Sequence, residues 1–240
     1  MKNSTTKIIN DLKYGKGYSI FKIEKINFLK KIRNTFIKKI DDSKNKKKIN
    51  VNSIRSKMAK MKKAEINNAM IKMLSFNNLS EMMILSCPSL IKKLCGKELF
   101  IQRRAHTIVN VPGKGQSKQW PHYEMISGIS PHSYIIWTPL HDLEDEGGIY
   151  YVDQKTSANI MKKEEKLGLV NGPKVLDLIN NQKPAKLKFG EGIIFNPFVI
   201  HGNLEFKSNL ARIACNVRFQ SIRKPLLQKN TDYLKYFKIS

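Results

Sequence analysis

Near Leu99 the chain changes its period, and that switch limits the folds open to it. Before it, Phe28, Leu29, Ile32, Phe36, Ile37 and Ile40 recur at helical spacing, with Lys30, Lys31, Arg33, Lys38 and Lys39 turned outward. After it come short alternating or wholly apolar runs separated by glycine-containing turns. A helical first third followed by many short strands predicts an α+β chain with a closed or double-sheet β core and helices packed outside. At 240 residues one such domain is the expected size, with 1–96 mainly helical, 97–225 the β core and 226–240 a C-terminal tail.

In order, a short helix over 1–16 stops at Gly15 and Gly17, a strand covers 18–23, and a helix covers 27–40. The polar stretch 41–52 reads as a mobile loop. Residues 54–95 read as mostly helical, broken near 76–80, where Ser80 is the expected N-cap with Glu81 in the first turn. Pro88 then interrupts or restarts the helix. Phe100 to Val111 is one long strand or two, Ser133 to Leu140 and Ile149 to Val152 are strands, and 158–182 is a polar insertion with some helix. Ala185 to Phe189 and Gly192 to Ile200 are expected as a hairpin about Gly190-Glu191, and Ala211 to Ser221 as a last long strand.

No apolar run approaches the roughly 18–20 residues a membrane span needs, and Asp11 stands where the core of a secretory signal would be. Cys87, Cys95 and Cys215 form no C-x-x-C pair and are odd in number, which argues against a disulfide framework or a zinc knuckle. These features predict a soluble cytoplasmic protein. The net charge of +25 attracts polyanions, but the chain is rich in Lys, Asn and Ile together, which is also the mark of an A/T-rich coding bias. We read the charge as a solvated basic surface that steers an anionic substrate, with dedicated nucleic-acid binding the weaker reading.

The chemistry centres on Q-W-P-H-Y-E-M, residues 119–125. His122 and Glu124 stand two apart in a segment that reads as extended, which would put both on one face of a strand. His201 ends the apolar run G-I-I-F-N-P-F-V-I-H, and Arg212 follows eleven residues later. Two imidazoles and one carboxylate on a single triangular face suit a non-haem Fe(II) oxygenase, because they bind the metal without saturating it. An arginine on the next strand offers a planar fork for a carboxylate. H-x-E alone is a weak signal; the distal His201 and Arg212 raise it.

With H-Y-E-M, I-W-T-P-L-H-D, D-E-G-G-I-Y-Y-V, K-F-G-E-G-I-I-F-N-P-F-V-I-H-G and A-R-I-A-C-N-V-R-F in that order, the chain resembles the phytanoyl-CoA dioxygenase-like group of Fe(II)/2-oxoglutarate oxygenases over roughly 99–221. The resemblance implies a double-stranded β-helix (jelly-roll) core, with His122, Glu124 and His201 holding Fe(II) and 2-oxoglutarate chelating it through C1 and C2. It also implies that Arg212 pairs with the C5 carboxylate, that Trp137 lines the cosubstrate pocket, and that O2 is consumed in hydroxylating an unactivated C–H. Glu124 stands where most of the group carry aspartate, and Ala214 where some relatives place serine. Retention of a carboxylate argues against a halogenase. Arg218 lies on the same strand face as Arg212 and is a rival for the C5 carboxylate.

The implied substrate is small or carrier-linked and anionic, as in biosynthetic or surface-carbohydrate pathways. Two other readings stay open: a cupin-like metal-dependent hydrolase or isomerase, which would not need Arg212, and a non-catalytic basic binding protein. His106, His132 and His141 read as ordinary histidines, with His106 the one nearest the metal strand. Asn196 and Asn203 flank the distal histidine, and the carboxylates of Asp142 to Glu146 read as a solvated turn.

Overall fold

The computed structural model of the protein describes residues 4–40, 50–74, 76, 78–112, 121–144, 149–166, 179, 182–203, 208–227 and 233–240. Helix α1 (Thr5–Lys13) opens on Ser4, whose side chain accepts the Lys7 N–H, and α2 (Ile26–Ile40) buries Leu29, Ile32, Phe36 and Ile40 from the expected stripe. Helices α3 (Val51–Lys60), α4 (Lys63–Leu74), α5 (Leu79–Leu85) and α6 (Pro88–Cys95) follow. The expected loop is shorter than predicted at its far end, because Asn50 caps α3 by accepting the Ser53 N–H at 2.9 Å. Its residues 41–49 lie outside the described residues.

Ser80 is not the N-cap of α5. That position belongs to Asn78 at φ 73°, in the left-handed region. Ser80 lies inside the helix, and its Oγ instead accepts the buried Ala105 N–H at 2.8 Å, tying α5 to the strands.

The strands are β1 (Tyr18–Lys22), β2 (Glu98–Gln102), β3 (His106–Asn110), β4 (Tyr134–Pro139), β5 (Ile149–Tyr151), β6 (Glu191–Phe195), β7 (His201–Asn203), β8 (Arg212–Ser221) and β9 (Leu234–Lys238). Residues 99–111 therefore form two strands, bent apart at Arg103-Arg104. Seven strands make one antiparallel sheet in the order β1-β6-β4-β8-β2-β9, with β3 also on β8, and β5 pairs with β7 in a second sheet. The residues expected as a tail contain β9, which covers the outer edge of β2 from Glu98↔Lys238 to Gln102↔Leu234.

The expected hairpin about Gly190-Glu191 does not form. Leu187 bridges Leu143 instead, while β6 runs between β1 and β4 and stops at Phe195. The reason lies at Asn196: its Oδ1 accepts the Phe198 N–H at 3.1 Å and its Nδ2 donates to Gln154 and Leu12, which turns the chain before His201. Gly17 sits against this turn at φ +81°; a Cβ there would lie 2.7 Å from Val199 Cγ2. In the insertion, α7 (Gln154–Lys166) is helical, and most of 167–182 lies outside the described residues.

Three layers result. The helices pack on one face of the large sheet around Ile32, Phe36, Ile84, Leu99, Ile213, Val217 and Phe219. The other face meets the small sheet around Ile135, Trp137, Ile149, Tyr151, Phe195 and Ala214. Facing sheets with helices outside are the α+β jelly-roll arrangement expected from the sequence. Strand β8 is buried on both faces: Ile213, Cys215, Val217 and Phe219 point to the helices, while Ala214, Arg212, Asn216 and Arg218 point between the sheets. None of the described helices is long and apolar enough to cross a membrane.

Candidate metal centre

His122 and His201 are joined by a reciprocal backbone bridge, His122 N–H to His201 O at 3.0 Å and His201 N–H to His122 O at 2.9 Å. The bridge brings their rings to 4.3 Å between centroids. The Glu124 N–H donates to Pro197 O at 3.1 Å, so the turn that leads into His201 holds all three residues. The expected strand through His122 and Glu124 is not there. Glu124 opens a 3-10 turn, Glu124–Ser127, and the two side chains converge because the backbone bends between them. The three donor atoms lie within 4.8 Å of one another, and among the described residues no other group of three His, Cys, Asp or Glu is so placed.

The protonation states suit a metal. His201 Nδ1 meets the Val199 carbonyl at 3.1 Å, so that nitrogen carries the proton and Nε2, 3.8 Å from Glu124 Oε1, presents its lone pair. Burial, reinforced by His122, pushes the His201 pKa down to about 3 against the pull of Glu124, which keeps the ring neutral. Burial opposes ionisation of Glu124, but Arg218, His201 and His122 outweigh it and hold its carboxyl below the usual range.

Arg218 is the main partner of Glu124. Its Nε meets Oε2 at 2.9 Å and its Nη2 meets Oε1 at 2.9 Å and Oε2 at 2.8 Å, a forked ion pair with both residues buried. The guanidinium also donates to Gln102 Oε1 at 3.3 Å, to His106 Nδ1 at 3.4 Å and to Tyr233. Arg212 is held differently. Its Nη2 donates to Asn110 Oδ1 at 2.6 Å and Asn203 Oδ1 at 2.9 Å, both neutral amides, and its Cζ lies 5.7 Å from the Trp137 ring centroid. Burial lowers its pKa to about 10, so it stays a cation at neutral pH.

His106, Ile108, Trp137, Ile149, Phe195, Asn203 and Asn216 complete the lining of a cavity of about 200 Å³ that contains His122, Glu124, His201, Arg212 and Arg218. All six residues predicted for the site thus meet in one space. Tyr151 stacks on His201 at 5.8 Å, and its buried hydroxyl has no hydrogen-bond partner. A larger groove of about 790 Å³, lined by Ile71, Met73, Phe76, Arg103, Arg104 and Lys235, lacks a metal-ligating group, so size does not locate the chemistry here.

The other named residues have structural work. His141 Nδ1 meets Asp142 O at 2.6 Å while its Nε2 accepts the Ile213 N–H at 3.2 Å. Tyr123 packs with Tyr150, Val152 and Ile200. Asp142 accepts the Phe189 N–H and Glu144 pairs with Lys188. Gln119, Trp120, Asp145 and Glu146 lie outside the described residues. Gln102, Asn110 and Asn216 went unnoticed in the sequence; an inward-facing polar residue between two arginines of an otherwise apolar strand is the signal that would have found Asn216.

No family model matches this sequence, and no curated protein does. Solved structures share its fold. The non-heme alpha-ketoglutarate-dependent epimerase SnoN from nogalamycin biosynthesis, in complex with Fe3+, alpha ketoglutarate and nogalamycin RO, is similar at 10% identity and a TM-score of 0.53 over 90% of this chain and 83% of its own. EctD from S. alaskensis, in its apoform, is similar at 11% identity and a TM-score of 0.55 over 95% and 85%. HygX from Streptomyces hygroscopicus with iron bound is similar at 10% identity and a TM-score of 0.50 over 88% and 85%. The fold is therefore one that non-heme iron, alpha-ketoglutarate (2-oxoglutarate) enzymes use.

Proposed function

We propose that this chain is an Fe(II)- and 2-oxoglutarate-dependent oxygenase, a single domain over 1–240 that hydroxylates an unactivated C–H. The observation that carries the reading is the convergence of His122, Glu124 and His201 in one cavity that Arg212 also lines. Two imidazoles and a carboxylate fit Fe(II), whose role when bound would be to join 2-oxoglutarate and O2 in oxidising the substrate. His201 would offer Nε2, with Nδ1 fixed by Val199. Arg218 meets both oxygens of the Glu124 carboxylate and holds it in place with Oε1 toward His201 Nε2, and would share that carboxylate with the metal. With Arg218 so engaged, Arg212 is the group for the distal carboxylate of 2-oxoglutarate, and Trp137 walls its pocket. The apolar residues Ile108, Ile149 and Phe195 exclude water from the reacting centre.

A small or carrier-linked anionic substrate fits the +25 charge and the groove rimmed by Arg103 and Arg104, since Ala105 lines that groove and its neighbour His106 lines the cavity. Three buried free cysteines suit the reducing cytoplasm. Anaerobic titration with Fe(II) and 2-oxoglutarate tests the reading: a weak charge-transfer band on the order of 500 nm is expected. A folded, metal-loaded protein without the band overturns it, and an Arg212→Met protein that still binds 2-oxoglutarate normally returns the chain to the hydrolase or isomerase class.

A further inference from the structure

Asn216 is 8% exposed and lines the metal cavity between Arg212 and Arg218, and its buried side-chain Oδ1 has no hydrogen-bond partner among the described residues. Leaving a buried amide unsatisfied costs stability unless a ligand supplies the partner. Directly across the β3–β8 pairing stands His106. A guanidinium nitrogen only donates, so the His106 Nδ1 that meets Arg218 Nη1 is the acceptor, and the proton of this neutral ring is on Nε2. The wall beside the metal ligands therefore offers an imidazole N–H and an amide that both donates and accepts. Arg218, the cation next to them, is engaged by Glu124.

We infer that His106 and Asn216 form a subsite for vicinal hydroxyls, and that the part of the substrate placed at the metal is a neutral, hydroxylated ring of sugar size. This deepens the oxygenase reading and rests on it. An anionic linkage, where the substrate has one, lies outward on the basic rim. Asn216 is a specificity residue: its amide spans two hydroxyls, and a hydrocarbon in its place leaves it unsatisfied.

The test uses the full chain loaded with Mn(II) and 2-oxoglutarate without O2, reading the paramagnetic relaxation of probe protons for methyl pyranosides and for tetrahydropyran, the same ring without hydroxyls. At least one pyranoside is expected to be relaxed, and tetrahydropyran is not. Asn216→Ala should weaken the pyranoside about three- to tenfold, with Asn216→Ser restoring part of the loss, while 2-oxoglutarate affinity is unchanged. Ligand-free Asn216→Leu should melt no lower than the wild type, since it removes an unsatisfied amide; a merely structural asparagine would lower it. Equal relaxation of tetrahydropyran, no relaxation of any pyranoside, an unchanged pyranoside in Asn216→Ala, or loss of 2-oxoglutarate in that variant overturns the inference. Failure of the wild type to bind metal or 2-oxoglutarate overturns the oxygenase reading instead.

Discussion

Arg212 and Arg218 share one face of β8, and the two ends of that face could hardly be furnished more differently. At one end a guanidinium is forked onto a carboxylate, with Gln102, His106 and Tyr233 around it. At the other, the acceptors at Nη2 are the amides of Asn110 and Asn203. Spacing along the strand makes the two arginines equivalents; the partners that other strands bring make Arg218 the counter-ion of Glu124, and the proposed function gives Arg212 the incoming carboxylate. A guanidinium in a forked, buried pair has largely given its charge to its partner.

The sharpest way to break this contrast is to remove each arginine in turn. Arg218→Met leaves the Glu124 carboxylate buried without its counter-charge and is expected to cost about 3–5 kcal/mol in denaturant unfolding of the metal-free protein. Added Mn(II) should stabilise that variant more than it stabilises the wild type, because the ion replaces the lost positive charge; equal stabilisation would show that Glu124 does not meet the metal.

Acid tests the Arg212 end. Burial, together with Arg55 and Arg212, pushes the His141 pKa down to about 4 from 6.5, despite the opposing Asp142 contacts. The unfolded chain therefore takes up the proton first, and stability falls as the pH drops from about 6.5 to 4, by roughly 3 kcal/mol at most from this group. In His141→Gln that part of the pH slope should vanish; a slope identical to the wild type would place the acid sensitivity elsewhere.

Arg212→Met should weaken 2-oxoglutarate by about 10- to 150-fold in the anaerobic titration, the worth of a charged hydrogen-bonded contact of about 1.5–3 kcal/mol. The opposite face of the same strand gives the smallest effect: Ile213→Val should cost about 0.5–1.5 kcal/mol and leave metal and 2-oxoglutarate binding untouched.

The sequence carried the site further than it carried the fold's details. His122, Glu124, His201, Trp137, Arg212 and Arg218 were all legible, because types and order survive whatever the backbone does between them. The route was less legible. His122 and Glu124 meet through a bridge and a 3-10 turn rather than a strand, and that bend depends on Pro197 and His201, more than seventy residues away. The same is true of Ser80, whose capping habit yields to the needs of the distant Ala105 N–H, and of Leu187, which leaves a local hairpin for Leu143. Local propensity decides where no remote group competes, as in the α2 stripe. Nor does spacing reveal which arginine pairs with Glu124, since Glu124 lies outside β8.

The two outermost strands of the large sheet, β1 and β9, come from opposite ends of the residue numbering. During synthesis β1 has no strand partner among the described residues until 191–195 emerge, and the outer edge of β2 stays bare until 234–238 follow. Pairings so remote in sequence close slowly. A nascent chain of this kind carries uncovered strand edges until those partners follow; once β9 is in place, Lys235 is tied to Glu81 while the exposed Lys238 stands on the sheet's outer strand, where charge discourages a second molecule from adding to it.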